Sequence, residues 1–197
     1  MTKLINYAAA LMLLATAVPS EFAPAAAAPV AQAPAWAVDM AGSQLRFQSS
    51  AGGTSFTGTF GRWHADIRFD PKKLVGSSVL VKVDMASART GSSDRDEALP
   101  GADWFAIGQY AQATFASKTF KDLGGGRYQA IGTLTMRGIS RPLVLPFTLK
   151  ITGRQARMTG TATIDRHVFG VGQGQFATAD TVPFNVQLAV VLSAKRS

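Results

Sequence analysis

From Trp36 onward, apolar and polar residues alternate along the chain with a period of two. Leu45 and Phe47 are interleaved with Gln44, Arg46 and Gln48. Trp63, Ala65, Ile67 and Phe69 alternate with His64, Asp66 and Arg68, and Val79, Val81, Val83 and Met85 with Lys82 and Asp84. The second half repeats the pattern: Tyr128, Ala130, Leu134 and Met136; Leu143, Leu145, Phe147 and Leu149; Met158, Ala162 and Ile164; then Phe184, Val186, Leu188, Val190 and Leu192. Successive side chains of a strand point to opposite faces, so each run predicts a strand with one buried and one wet face. Seven or eight such strands describe an antiparallel sheet. Turn residues separate them at Asp70-Pro71, Gly124-Gly125-Gly126, Arg137-Gly138 and Thr152-Gly153, and the three consecutive glycines mark a hairpin apex.

Two segments break the alternation. Gly91 to Pro100 carries Ser and Asp capping residues, with Asp94 followed three positions later by Glu97, and predicts a short helix. An aromatic cluster of Trp104, Phe105 and Tyr110 follows it. Gly170-Val171-Gly172-Gln173-Gly174 lacks the Lys-Ser/Thr of a phosphate loop and opens no helix, so it reads as a mobile or bulged loop.

Amphipathic strands with almost no helix leave a sandwich or a closed barrel. Closure removes the edges that invite aggregation, which favours an all-β, antiparallel, eight-stranded barrel with one short helix. The inward positions are almost wholly aliphatic and aromatic, so any space among them would be dry and its occupant apolar. The candidate lining residues are Phe47, Phe60, Phe69, Phe105, Phe115, Phe147 and Phe184. The aliphatic ones are Val81, Val83, Leu134, Leu145, Ile164, Val186 and Leu188. The competing reading of the same residues is an ordinary filled core.

The first 33 residues differ from the rest. Lys3 precedes an apolar run, Tyr7 to Val18, and an Ala/Pro tract in which Ala26-Ala27-Ala28 and Ala31-Gln32-Ala33 both fit an A-x-A cleavage site. This is the layout of a secretory signal peptide, too short in its apolar part to span a bilayer stably. The division is therefore 1–33 as signal peptide and lead-in, and 34–197 as the barrel, with a periplasmic or otherwise secreted location.

Composition sharpens this picture at three points. With 47% hydrophobic and 16% charged residues, the 197-residue chain supports one sizeable core. It has no cysteine, which excludes disulfides, thiol nucleophiles and thiolate metal sites. The formal charge of +8 speaks about partners rather than fold. The positive residues are scattered, with no run longer than Lys72-Lys73 or Lys195-Arg196, and aromatics do not interleave with them, so nucleic acid is not expected.

Candidate chemistry is sparse. Arg95, with Asp94, Asp96 and Glu97 around it, forms the one dense charged cluster. Arg95 and Asp96 are candidates for holding a ligand head group, against a reading of helix capping and local ion pairing. His64 and His167 lie far apart and offer no metal spacing. An enzyme would need a convergent polar set inside the barrel, such as Asp96 or His167 buried beside a cavity. No catalytic residue, metal or cofactor is expected.

Several stretches in order resemble the YceI-like family of exported, lipocalin-like barrels. They are Gly58-Thr59-Phe60, Asp66-Ile67-Arg68-Phe69-Asp70-Pro71, and Arg95-Asp96 with Leu99 and Ala102-Asp103-Trp104-Phe105. Tyr110 to Ser117, Gly132 to Pro142, and Asp165-Arg166-His167 with Phe169-Gly170-Val171 complete the set. The resemblance implies a hydrophobic tunnel that holds an isoprenoid chain with its polar end near an opening. Ala111 stands where the family commonly has proline, and Ser49 to Ser55 is richer in Gly and Ser than usual, which bears on the mouth. The expectation is an exported lipid binder holding a quinone or polyprenyl phosphate type of molecule for transport or storage. The alternative is a basic periplasmic adaptor with a filled barrel that docks on a membrane surface or partner protein. A transient membrane contact and a homodimer stay open.

Overall fold

A computed structural model describes residues 32–197. All but the last two residues of the lead-in, and with them most of the signal-peptide reading, lie outside the described residues. The strands are β1 (Ala35–Ala51), β2 (Thr54–Phe60), β3 (Trp63–Arg68), β4 (Ser78–Asp84), β5 (Ala88–Arg89), β6 (Gln112–Gly124), β7 (Arg127–Met136), β8 (Ile139–Thr152), β9 (Gln155–Asp165) and β10 (Asn185–Arg196), with one α-helix, α1 (Ser93–Ala98). All pairings are antiparallel. The ladder runs β10-β9-β8-β7-β6-β4-β3-β1, and β1 also pairs with β10, so eight strands close a barrel. β2 continues the sheet beside the distal half of β1, and the two-residue β5 flanks β2.

The hairpins follow from their turn residues. Gly125 and Gly126 both have positive φ between Gly124 and Arg127, and Arg137 and Gly138 do so between Met136 and Ile139. Two central residues of positive φ give the turn whose twist matches that of paired strands.

Two strands differ from the alternation, and the cause is the same in both. β6 is bulged between Ser117 and Thr119, so its inward residues run Ala113, Phe115, Ser117 and then Phe120. β1 shifts register between Asp39 and Gln44. β6 carries one extra residue relative to β7 and β1 three relative to β10, and an odd number of extra residues inverts the phase of every side chain beyond it. Each irregularity is stitched by a buried serine. Ser117 Oγ donates to Ile131 O at 2.8 Å, while Ser43 Oγ donates to Asp39 O at 2.6 Å and accepts from Ser193 N at 2.9 Å. A buried backbone group freed by a bulge needs such a partner.

The helix forms inside the expected segment, but not by the expected cap. The Ser92 side chain makes no capping bond, and no box with Glu97 closes. Instead Asp96 Oδ1 accepts from both Thr90 N and Thr90 Oγ1 at 2.7 Å, tying the first turn of α1 to the end of β5. The Thr90 hydroxyl bond, chiefly, holds the Asp96 carboxyl below its ordinary pKa.

One end of the barrel is filled. Phe69 meets Phe120, Tyr128 and Phe147 edge-on at 5.2, 5.4 and 6.0 Å between ring centres. Trp36 Nε1 donates to Phe69 O at 2.9 Å and so satisfies its one polar atom. All but Phe120 of these rings are buried.

Candidate functional site

The rest of the interior is not filled. An inner chamber of about 170 Å³ lies above the aromatic floor, and its wall is entirely apolar. An outer chamber of about 300 Å³ follows toward the α1 end. The two share Leu188. The division is legible in the register, because Phe47, Leu188 and Ala162 are cross-strand neighbours, with Leu45 and Val190 on the inner side and Ile164 and Val186 on the outer. The space exists because inward positions on four strands are alanine: Ala113, Ala130, Ala156, Ala162 and Ala194. Large residues there would interdigitate and close it.

Phe69, Val81, Val83, Phe115, Leu134, Leu145 and Phe147 line the inner chamber. Phe47, Phe60, Phe105, Ile164 and Val186 line the outer one, and Leu188 both. Phe184 lines neither: it precedes β10 and packs on the exposed His167 ring at 4.8 Å. Arg95 is part of the outer wall, whereas Asp96 is not, its carboxylate being engaged by Thr90. His64 is exposed and pairs with Asp66 at 3.0 Å.

The aromatic rings of the outer chamber form a chain. Phe47 lies 6.4 Å from Phe56 and 5.1 Å from Phe60, which lies 6.3 Å from Phe105. Phe47 reaches its position only because Gly58 opposite it has no side chain. A Cβ there would stand 2.1 Å from the Phe47 ring, with no relief except moving the ring. Gly58→Ala is therefore expected to destabilise the barrel by about 1–3 kcal/mol, the usual cost of forcing atoms into an occupied site. A urea titration checks this, and an unchanged midpoint would mean that Phe47 swings freely.

Arg166 is the residue that sequence reasoning missed. It is 3% exposed, lines the outer chamber and touches no carboxylate. Its guanidinium donates to backbone carbonyls only: Nε to Pro183 at 3.1 Å, Nη1 to Val171 at 2.7 Å, and Nη2 to Phe176, Thr178 and Val182 at 2.9, 3.0 and 2.7 Å. It thereby gathers the whole segment between β9 and β10 around one side chain. Burial pulls its pKa down. The signal was present in the sequence: Arg166 continues the inward phase of Met158, Ala162 and Ile164. The glycine-rich stretch is anchored here as well, since Gly172 N and Gln173 N both donate to Asp103 O, at 2.7 and 2.8 Å.

The inner chamber has no exposed residue in its wall, while Asp94, Ala98 and Thr181 in the outer wall are exposed. The doorway is therefore at the outer end, between α1 and the segment before β10. Among the described residues no group of three or more His, Asp or Glu side chains could hold a metal ion. Chemically, the arrangement offers an apolar tube with polar groups at its mouth: Ser49, Thr90, Asp94, Arg95, Arg166 and Thr181.

The YceI-like domain profile matches residues 36–192. A UPF0312 protein of Vibrio parahaemolyticus is 34% identical over 118 residues, covering 58% of this chain and 62% of that relative. The crystal structure of BcnA from Burkholderia cenocepacia superposes with a TM-score of 0.77 at 31% identity, covering 80% of this chain and 99% of BcnA. A polyisoprenoid binding domain from Saccharophagus degradans, implicated in plant cell wall breakdown, has the same fold with a TM-score of 0.65 at 16% identity, covering 83% and 99%.

Proposed function

The chain belongs to the YceI-like family, and from that premise we propose that it is a carrier that holds one isoprenoid lipid in its barrel, tail inward. The observation that carries this reading is the pair of aligned apolar chambers ending at a doorway. The inner one alone exceeds the roughly 150 Å³ at which an apolar protein cavity stays dry and admits benzene. The Saccharophagus domain of the same fold, described as polyisoprenoid binding, adds support.

An apolar tail is a good match on energetic grounds. About ten buried carbons at about 0.8 kcal/mol each supply about 8 kcal/mol before the costs of association. Such burial discriminates poorly between neighbouring chain lengths, which suits transport or storage of a lipid class. We place the protein in the periplasm or outside the cell, on the strength of the leader. We read it as a carrier rather than a catalyst, because the polar groups sit at the mouth while the deep interior is bare hydrocarbon. The alternative of an adaptor with a filled barrel leaves both chambers without a purpose.

The test is direct. The full chain, expressed with its leader and purified without detergent, should release an isoprenoid on organic extraction, in a molar ratio near one, by mass spectrometry. The delipidated protein should then rebind a prenyl alcohol. Protein that is repeatedly free of lipid and does not bind added farnesol would overturn the carrier reading.

A further inference from the structure

The two ends of the barrel differ in charge. The β3–β4 loop, the β6–β7 and β8–β9 hairpins and the tail of β10 all meet at the end closed by the aromatic floor. The end of β3 and its loop carry Arg68, Lys72 and Lys73, and the β6–β7 hairpin carries Lys121 and Arg127. The β8–β9 hairpin adds Lys150, Arg154 and Arg157, and β10 adds Lys195; all of these are exposed. The carboxylates at this end are Asp70 and Asp122, and each accepts a turn amide: Asp70 Oδ1 from Lys72 N at 2.9 Å, Asp122 Oδ1 from Gly124 N at 2.8 Å. Asp39, Asp66 and Lys118 stand at the upper margin of the group. The two ion pairs among the described residues, Arg62 with Asp84 and His64 with Asp66, take up none of these basic side chains. At the mouth the signs offset one another. Asp94, Asp96, Glu97 and Asp103 in and after α1, with Asp165 and Asp180 beside the β9–β10 segment, face Arg89, Arg95, Arg137, Arg141 and Arg166. The positive charge of the chain is therefore gathered at the closed end.

The same end exposes apolar side chains. Val75, 64% exposed, follows Lys72-Lys73 on the β3–β4 loop, and Leu123, 38% exposed, follows Lys121 at the β6–β7 hairpin. Their near neighbours Leu74 and Phe120 pack against the floor, whereas these two point away from it. A basic face with apolar tips matches a bilayer interface, where anionic phosphates lie over acyl chains. A soluble polyanion would meet the charges and leave Val75 and Leu123 in water.

We propose that the closed end docks on a membrane surface of anionic phospholipid, with Val75 and Leu123 entering the headgroup region and the mouth turned away from the bilayer. The inference is independent of what the barrel holds. Charge draws the protein in and sets its orientation, within a Debye length of about 10 Å at about 0.1 M salt, and the apolar tips then hold it.

Vesicle flotation tests this on the full chain expressed with its leader, so that whatever remains of the leader is common to every variant. Partitioning onto phosphatidylcholine vesicles that contain phosphatidylglycerol should exceed partitioning onto phosphatidylcholine alone at least tenfold. Salt at about 1 M, with a Debye length of about 3 Å, should abolish the difference. A basic residue at an anionic surface is worth about fivefold in affinity, so Lys72→Gln with Lys73→Gln should weaken binding at least tenfold. Lys82→Gln with Arg141→Gln removes the same charge from the mouth half and should change binding less than threefold. Val75→Ser with Leu123→Ser should weaken it at least threefold. The chain has no cysteine, so a polarity-sensitive dye can report orientation. Attached to Leu123→Cys it should shift to the blue on anionic vesicles, and attached to Ser93→Cys, at the start of α1, it should not. Equal partitioning onto both vesicle types, equal loss from the two charge-removing pairs, or a shift at Ser93→Cys alone would overturn the proposal. Undiminished binding of the Val75→Ser, Leu123→Ser protein would identify a surface for polyanions in general and overturn the membrane assignment.

Discussion

Replacing Ala162 by Phe will exclude a prenyl tail from the inner chamber and leave the barrel folded. Ala162 is buried, faces that chamber, and stands opposite Leu188 at the level where the two chambers meet. A phenyl group there occupies the space that the tail would fill. If about five carbons are displaced, about 4 kcal/mol of burial is lost, or about a thousandfold in Kd. Farnesol, with fifteen carbons, should show this loss in calorimetry. Geraniol, with ten, can remain in the outer chamber and should lose less than tenfold. Stability should hold or rise, because the new ring enters empty space rather than a packed core. Farnesol binding unaffected by the substitution would mean that the tail lies elsewhere, and the aligned-chamber reading would fall.

The second large effect concerns stability. Arg166→Met should cost about 3–4 kcal/mol, because the carbonyls of Val171, Phe176, Thr178, Val182 and Pro183 lose a charged donor at once. Hydrogen bonds to a charged group are individually worth about 1.5–3 kcal/mol, and a buried acceptor left unpaired adds its own penalty. Their sum overstates the effect, since the loop can rearrange to let water in. For a domain of this size the loss corresponds to a fall in Tm of about 10 °C. Arg166→Lys should be almost as damaging, because one ammonium with three donors cannot span carbonyls arranged around a planar fork. Thermal melts check the magnitude, and limited proteolysis should cut between β9 and β10 first. A Tm within 2 °C of the parent, by the same scale, would show that the loop holds itself.

How much of this was legible in the sequence depended on whether a strand kept its phase. β8 and β10 alternate without interruption, so their inward faces were readable residue by residue. β6 was not, because the bulge after Ser117 moves Phe120 into the position an unbroken strand would give to Thr119. β2 escaped because its inward residue between Phe56 and Phe60 is Gly58, which has no side chain to signal a face. The direction of the lining side chains followed from periodicity, yet the emptiness between them did not. Alternation reports which way Ala130 or Ala162 points and is silent on whether anything meets it. Arg166 was overlooked for the opposite reason. A charge in the inward phase looks like the end of a strand, and only the ring of carbonyls around it makes its burial tolerable. The same arginine explains Gly172, where a Cβ would stand 2.0 Å from Nη1. Phe184 shows the limit of extrapolating a pattern past the first residue of a ladder.

The aromatic floor built on Trp36 and Phe69 has a bearing on traffic. For the carrier proposed above, a vessel stoppered at its base would fill and empty through one neck, so cargo would go in tail foremost and come out with its polar tip leading. Pick-up and hand-over would then compete for a single aperture, and a donor and an acceptor could not be served at the same moment. Exchange on that reading would have to proceed in turns, with the neck presented afresh to each.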